Sequence, residues 1–163
     1  MHQKNNKLIS SLDSLVELCN NCRASGKKII MTNGCFDILH TGHIYLLSEA
    51  KKLGDILVVA LNSDLSVKLN KGDARPFNSD IDRAYVLSAI KSVDHIIIFN
   101  EETPEKIIST IIPDILVKGS DYKGKYIAGR KFLENHGKKI ALIDLVEGKS
   151  TTELINKIDN ANP

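Results

Sequence analysis

Apolar residues fall into two alternating spacings along the chain. In the first stretch, Leu8, Leu12, Leu15, Val16, Cys19 and Cys22 recur every three or four residues. This is the stripe of an amphipathic helix spanning Leu8 to Cys22 and packed on a core. Ser25-Gly26 then supplies the glycine that helix C-termini favour. Short apolar, β-branched runs follow: Ile29–Thr32, Ile56–Leu61, His95–Phe99, Ile115–Lys118 and Ile140–Leu145. Most are continuously apolar, as strands buried on both faces of a parallel sheet are. Helical patterns lie between and after them, over Ile44–Leu53, Ile81–Lys91, Pro104–Ile111, Arg130–His136 and Thr152–Ile158. Thr103-Pro104 puts proline at a first helical position. Ser79-x-x-Asp82 and Ser150-x-x-Glu153 read as capping boxes, the first weakened because Asp is shorter than Glu.

Such alternation predicts right-handed βαβ units and an α/β fold, a Rossmann-like doubly wound sandwich around a five-stranded parallel sheet. Residues 1–26 are expected to form an N-terminal helix on the core, and residues 27–163 one globular unit. In these sheets ligands bind beyond the carboxyl ends of the strands, at the point where strand order reverses. The segments to read are therefore Asn33–His43, Asn62–Asp64, Gly119–Tyr122 and Glu147–Thr152.

Composition narrows the picture. A length of 163 residues suits one domain, and 42% hydrophobic residues with only 4 Pro and 10 Gly exclude a disordered or fibrous chain. No apolar run approaches the ~18 residues of a membrane helix, and the N-terminus lacks the apolar region of a signal peptide. The expectation is no membrane association. A net charge of +2 argues against bulk binding of nucleic acid. Three cysteines make no disulfide framework, so a reduced, cytoplasmic compartment is expected. Cys19-Asn20-Asn21-Cys22 reads either as a redox C-x-x-C or as core packing. Its place late in an amphipathic helix favours packing.

The densest chemical signal runs from Thr32 through Asn33, Gly34, Cys35, Phe36, Asp37, Ile38, Leu39, His40, Thr41 and Gly42 to His43, between the first predicted strand and a helix. Gly34 and Gly42 let backbone approach a ligand. His40 and His43, three apart, share one face of a helical turn. Two imidazoles beside the free N–H groups of a helix N-terminus make an anion site suited to phosphates. A structural zinc would need four ligands, and no second Cys/His pair has suitable spacing, so no metal site is assigned.

Gly34-Cys35-Phe36-Asp37-Ile38-Leu39-His40-Thr41-Gly42-His43 resembles the G-x-F-D-x-x-H-x-G-H signature of the HxGH, or cytidylyltransferase-like, nucleotidyltransferases. With Val117-Lys118-Gly119-Ser120-Asp121-Tyr122 and Gly148-Lys149-Ser150-Thr151-Thr152, the chain looks most like the branch acting on D-glycero-β-D-manno-heptose 1-phosphate. The similarity extends from about Leu8 to Ile158. It implies adenylyl transfer from ATP to a sugar 1-phosphate, giving ADP-heptose and pyrophosphate, with Mg²⁺ carried on the ATP phosphates. It also implies a homodimer and a place in making heptose precursors of lipopolysaccharide.

By the same resemblance His40, His43, Lys71 and Arg83 are the catalytic set, the histidines holding the triphosphate and the two cations meeting phosphates. Lys71 and Arg75 otherwise read as ordinary loop cations, and Arg83 as an ion-pair partner on a helix. Asp37 reads as a substrate or cation partner, and with Arg75 is assigned to the acceptor. Asn62-Ser63-Asp64 either reaches a ribose or base or forms a turn. Nucleotide contacts are assigned to Thr32, Asn33, Gly34, Cys35, Phe36, Asp37, Gly42, Asn62, Asp64, Lys118, Gly119, Asp121, Tyr122, Ser150, Thr151 and Thr152. Ser150 also reads as a helix cap.

Glycerol-3-phosphate cytidylyltransferases, which share the HxGH element, carry Arg-Thr-Glu-Gly where this chain has Leu145-Val146-Glu147-Gly148. The missing guanidinium weakens a cytidylyl reading. The alternatives are a cytidylyltransferase for glycerol 3-phosphate or another polyol phosphate, and a non-catalytic nucleotide-binding module. An aminoacyl-tRNA synthetase fails on size.

Overall fold

The computed structural model describes residues 6–144, 146 and 148–161. Its centre is a six-stranded, wholly parallel sheet in the order β1-β4-β3-β2-β5-β6. The strands are β1 (Leu8–Ile9), β2 (Ile29–Gly34), β3 (Ile56–Asn62), β4 (His95–Phe99), β5 (Ile115–Gly119) and β6 (Lys139–Ile143). Helices α1 (Leu12–Ala24), α2 (Thr41–Lys51), α3 (Asp64–Lys71), α4 (Asp80–Ser88), α5 (Glu105–Ile111), α6 (Arg130–Asn135) and α7 (Thr151–Ala161) connect or follow them.

Side-chain alternation divides the core between the faces of the sheet. From β2 and β3, Ile29, Met31, Val58 and Ala60 meet Leu15 and Cys19 of α1, Ile107, Ile108 and Ile111 of α5, and Leu133 of α6. The intervening Ile30, Leu57, Val59 and Leu61 meet Leu47 and Ala50 of α2 and Ala84 and Leu87 of α4. Strands buried on both sides read as continuous apolar runs, and this is why the alternation was legible as a parallel sheet.

The sheet has six strands rather than the expected five. Leu8 and Ile9 pair with Ile96 and Ile97 of β4 instead of opening the helix. Ser11 ends this strand because its hydroxyl accepts the Ser14 N–H at 3.2 Å and caps α1. Two residues are too few to show a period, so Leu8 fitted the helical stripe equally well. Helix α3 also replaces the turn expected after β3. Ser63 caps it, but Leu65 and Leu69 point to solvent, so its sequence carries little inward stripe. Cys19 is buried in the core and Cys22 packs against it, and burial pushes the Cys19 thiol up to about 11. Such a thiol is inert at neutral pH. Leu145 and Glu147, which carry part of the sequence reading, lie outside the described residues, as do residues 1–5. No helix among the described residues is long and apolar enough to cross a membrane.

Strand β2 lies between β3 and β5, so the order reverses between β2 and β5. From β2 the chain turns to α2 on one face, and from β5 it turns through a short 3₁₀ segment (Ser120–Tyr122) toward α6 on the other. A crevice opens between these departures, at the carboxyl ends of β2 and β5.

Candidate active site

Two helix N-termini border the crevice. His40 is the N-cap of α2, and its Nδ1 accepts the Gly42 N–H at 3.1 Å. An accepting Nδ1 leaves the neutral ring's proton on Nε2, which makes that edge a donor. A Cβ on Gly42 would stand 2.9 Å from the His40 ring and 3.1 Å from the Lys149 carbonyl. Only glycine lets the backbone before α7 come this close to α2. Helix α7 begins in a full capping box: Ser150 Oγ accepts from the Glu153 N–H and Glu153 Oε2 from the Ser150 N–H, each at 3.1 Å. The hydroxyl of Ser150 thus serves as a cap, with Thr151 and Thr152 in the turn behind it.

The His40 and His43 rings lie 3.9 Å apart, centroid to centroid, inclined by 32°. Phe36 stands with its ring 5.1 Å from that of His43, centroid to centroid, inclined by 55°. Its backbone is left-handed, φ +46°, which folds its ring over Gly34, where a Cβ would come within 3.1 Å of Phe36 Cε2. His43 Nδ1 is buried without a partner among the described residues. Burial, then the neighbouring His40 and Lys71, depress the His43 pKa to about 4. Burial likewise lowers His40, with Glu153 opposing. Both rings are therefore neutral donors at pH 7, free of the cost of adjacent imidazolium charges.

Other residues assigned to ligand contact are committed beneath the crevice. Arg83 is 2% exposed. Its Nε donates to the Asn78 carbonyl at 3.0 Å, and its Nη1 to the carbonyls of Cys35 and Asn62 at 2.6 and 2.7 Å. Its Nη2 meets the Asp64 carboxylate at 2.8 Å. The expectation that Arg83 meets phosphate gives way to a clamp, because four of its five N–H donors are already engaged. Asp64 is its counter-ion through Oδ1, with the side chain otherwise exposed. Asn62 donates its amide to Ser66 Oγ at 2.8 Å, and Thr32 donates its hydroxyl to the Val117 carbonyl at 3.0 Å, so both secure strand ends instead of facing a ligand.

Asp37 resolves in favour of the cation partner. Its Oδ1 accepts from the Phe77 and Asn78 N–H groups at 2.8 and 3.1 Å, and its Oδ2 pairs with Arg75 Nε at 2.8 Å. Asp37 and Arg75, both assigned to the acceptor, thus hold each other and the loop before α4. Asn78 passed unnoticed in the sequence although its amide donates to the Asp37 carbonyl at 2.8 Å. Its position before the Ser79 cap was the only signal, and that signal points to a helix start.

Lys71 ends α3, exposed, near enough to depress His43 and to stabilise the Cys35 thiolate against burial. Lys118 is buried at the end of β5, its ammonium 4.7 Å from the Tyr122 ring centre. Gly119 follows, buried, and Asp121 is exposed beside it. The structure therefore gathers His40, His43, Lys71, Asn33, Cys35 and Lys118 around the crevice. It sets Thr32, Asn62, Asp64 and Arg83 below them.

Residues 31–155 match the model of the cytidylyltransferase-like family. The chain is 55% identical over 150 residues to the bifunctional protein HldE of Campylobacter fetus subsp. fetus, covering 92% of this chain and 31% of that protein. It is 48% identical over 153 residues to HldE of Wolinella succinogenes, covering 94% of this chain and 31% of that one. The chain thus spans about a third of the length of the curated relatives it matches. Among solved structures, the lipopolysaccharide core biosynthesis protein from Thermoplasma volcanium GSS1 is similar with a TM-score of 0.60 and 33% identity, covering 74% of this chain and 98% of that one.

Two outcomes follow for the protein without ligand. Arg83→Met removes the clamp and leaves its acceptors unpaired, so urea unfolding should show a loss of about 3–5 kcal/mol. Lys71→Ala, at an exposed helix end, should stay within about 0.5 kcal/mol. The second concerns pH. The unfolded chain binds a proton at His43 near 6.5 and the folded chain only near 4. Stability from this group is therefore complete above pH 6.5 and is lost as pH falls toward 4. Comparing urea midpoints at pH 7 and 5, His43→Asn should lose less stability than the parent chain.

Proposed function

We propose that this chain, which belongs to the cytidylyltransferase-like family, transfers an adenylyl group from ATP to D-glycero-β-D-manno-heptose 1-phosphate, forming ADP-heptose and pyrophosphate. One observation carries the reading: two stacked, neutral histidines at the meeting point of two helix N-termini, beside the crevice where strand order reverses. Backbone N–H groups and imidazole donors together suit a triphosphate. Identities near 50% to proteins named HldE support the heptose acceptor.

In this reading a phosphate oxygen of the acceptor attacks the α-phosphorus of ATP in line, and the bond to the β-phosphate oxygen breaks. The leaving pyrophosphate takes that electron pair. No side chain forms a bond to the substrate, and catalysis is positioning and charge stabilisation. His40 donates from Nε2, and His43 donates to the oxygens that gain charge as the α-phosphoryl group is transferred. Lys71 reaches in from the α3 end toward the incoming phosphate. Asp37 and Arg75 act indirectly, by holding the loop before α4 against the phosphate loop.

Magnesium would arrive on the ATP phosphates and neutralise part of their charge. The donor set fits that role: Asp37, the carboxylate of the phosphate loop, is spent on Arg75 and two N–H groups, leaving imidazoles and cations around the crevice. Magnesium keeps waters and phosphate ligands in preference to such groups. A cytoplasmic setting, where ATP is made, completes the reading.

The active unit is proposed to be a homodimer. Among the described residues, eight of the ten exposed large apolar side chains fall between Ile44 and Val86. They include Leu65 and Leu69 on α3 and Ile81 and Tyr85 on α4. The Asp64 N–H donates to Asp80 Oδ2 at 3.1 Å and holds the two helix starts together. Basic Lys68 and Lys71 at the end of α3 and acidic Asp80 and Asp82 at the start of α4 flank this patch. That self-complementary arrangement suits a two-fold interface between copies.

Purified protein given ATP, Mg²⁺ and the heptose 1-phosphate should release pyrophosphate and form ADP-heptose. Absence of product across a panel of sugar 1-phosphates, or equal use of CTP, refutes the assignment. His43→Asn should lower kcat by about 10²–10³-fold with an unchanged circular dichroism spectrum. In sedimentation equilibrium the parent chain should run as a dimer, and Leu69→Glu with Tyr85→Glu as a monomer.

A further inference from the structure

Lys118 and Asn33 close the strands on either side of the reversal in the sheet. Thr32 pairs with Val117, so the two residues that follow are neighbours. Met31 and Leu116 pack on the α1–α5–α6 face, and side chains alternate along a strand. Asn33 and Lys118 therefore lie on that same face, across the crevice from the α2 histidines.

Lys118 is 7% exposed, yet it has no ion pair among the described residues. Its one hydrogen bond, to the Asn33 carbonyl, is long at 3.4 Å. The Tyr122 ring covers one side of it at 4.7 Å. Nearby, Asn33 Oδ1 is buried without a partner. A buried ammonium with donors to spare and a buried acceptor with none both incur desolvation unless something meets them. Packing alone does not account for them, because a methionine would fill the same volume without that cost.

We propose that Lys118 and Asn33 form a subsite that reads a hydroxyl group on a substrate ring. A hydroxyl both donates and accepts, so one group satisfies the Asn33 oxygen and the Lys118 ammonium together. A phosphate, an acceptor throughout, would leave the Asn33 oxygen unmet. Burial pushes the Lys118 pKa down to about 8, so at pH 7 the group is still an ammonium with three N–H donors. The inference rests on the crevice being the substrate site. It adds that one wall reads hydroxyls while the other holds phosphates. The ring is the nucleotide ribose or the sugar of the acceptor, and both supply the same chemistry.

Isothermal titration separates these sources and needs no turnover. ATP and 2′- and 3′-deoxy-ATP form one arm, and mannose 1-phosphate with its singly deoxygenated analogues forms the other. Each is titrated into the full chain and into Lys118→Met. In the parent chain one deoxy ligand should bind about tenfold more weakly than its parent ligand, and in Lys118→Met that difference should vanish. The arm that changes identifies the ring. If Lys118→Met fails to fold by circular dichroism, Asn33→Ala is read in the same way. Two results overturn the subsite: no deoxy ligand is penalised in the parent chain, or the variant weakens all ligands equally, as loss of a phosphate contact would. Failure of the adenylyl-transfer reading shows separately, as ATP binding without pyrophosphate release.

Discussion

The arrangement at the mouth of the sheet depends on one buried guanidinium. Arg83 reaches from α4 beneath the crevice and binds the carbonyls of Cys35, Asn62 and Asn78 together with the Asp64 carboxylate. These acceptors belong to the loop after β2, the end of β3, the loop before α4 and the start of α3. None of them is joined to the others by the sheet ladder at that level. Taking a guanidinium out of water costs several kcal/mol, and only a full set of good acceptors offsets it. The cost falls in one place and the order it imposes spreads to four segments. A lysine has one nitrogen and cannot span those directions, whereas the planar fork of arginine can.

Electrostatics above the clamp follow a different rule. A crevice proposed to take two phosphate-bearing substrates needs positive potential, yet cations crowded together destabilise the empty protein. Here much of the potential comes from groups without net charge. The N-termini of α2 and α7 contribute partial positive charge, and burial holds the two histidines neutral, with His40 and Lys71 adding to the effect on His43. Lys71 remains exposed at a helix end, where water screens it. This explains how a chain with a net charge of only +2 can present an anion site. Bulk charge carries little information about it.

The fold was legible because both faces of the sheet are covered, which makes each central strand an unbroken apolar word. Features with no such covering were not. Strand β1 has two residues and no room for a period, and α3 turns Leu65 and Leu69 outward, against the usual pattern. The phosphate loop was visible from Gly34, Gly42 and the paired histidines, since each has a local reason to be that residue. The division between residues that line the crevice and residues that support it was invisible. Thr32, Asn62, Asp64 and Arg83 have the chemistry of ligand contacts, and only three-dimensional partners show that Val117, Ser66 and the Arg83 acceptors already occupy them. A polar residue at the end of a strand satisfies either role, so sequence position alone cannot separate them.

The loop before α4 links the crevice to the apolar patch proposed to join two copies. Arg75 lies between them, its Nε 2.8 Å from Asp37 Oδ2 and its guanidinium carbon 4.6 Å from the centre of the Phe77 ring. Phe77 is 59% exposed and belongs to the patch, while Asp37 belongs to the phosphate loop. In a single copy the outer face of Phe77 is wetted. In the proposed dimer, covering Phe77 would place Arg75 in a drier setting, where its pairing with Asp37 strengthens. Association and the geometry of the crevice would, in that dimer, meet at Asp37, Arg75 and Phe77.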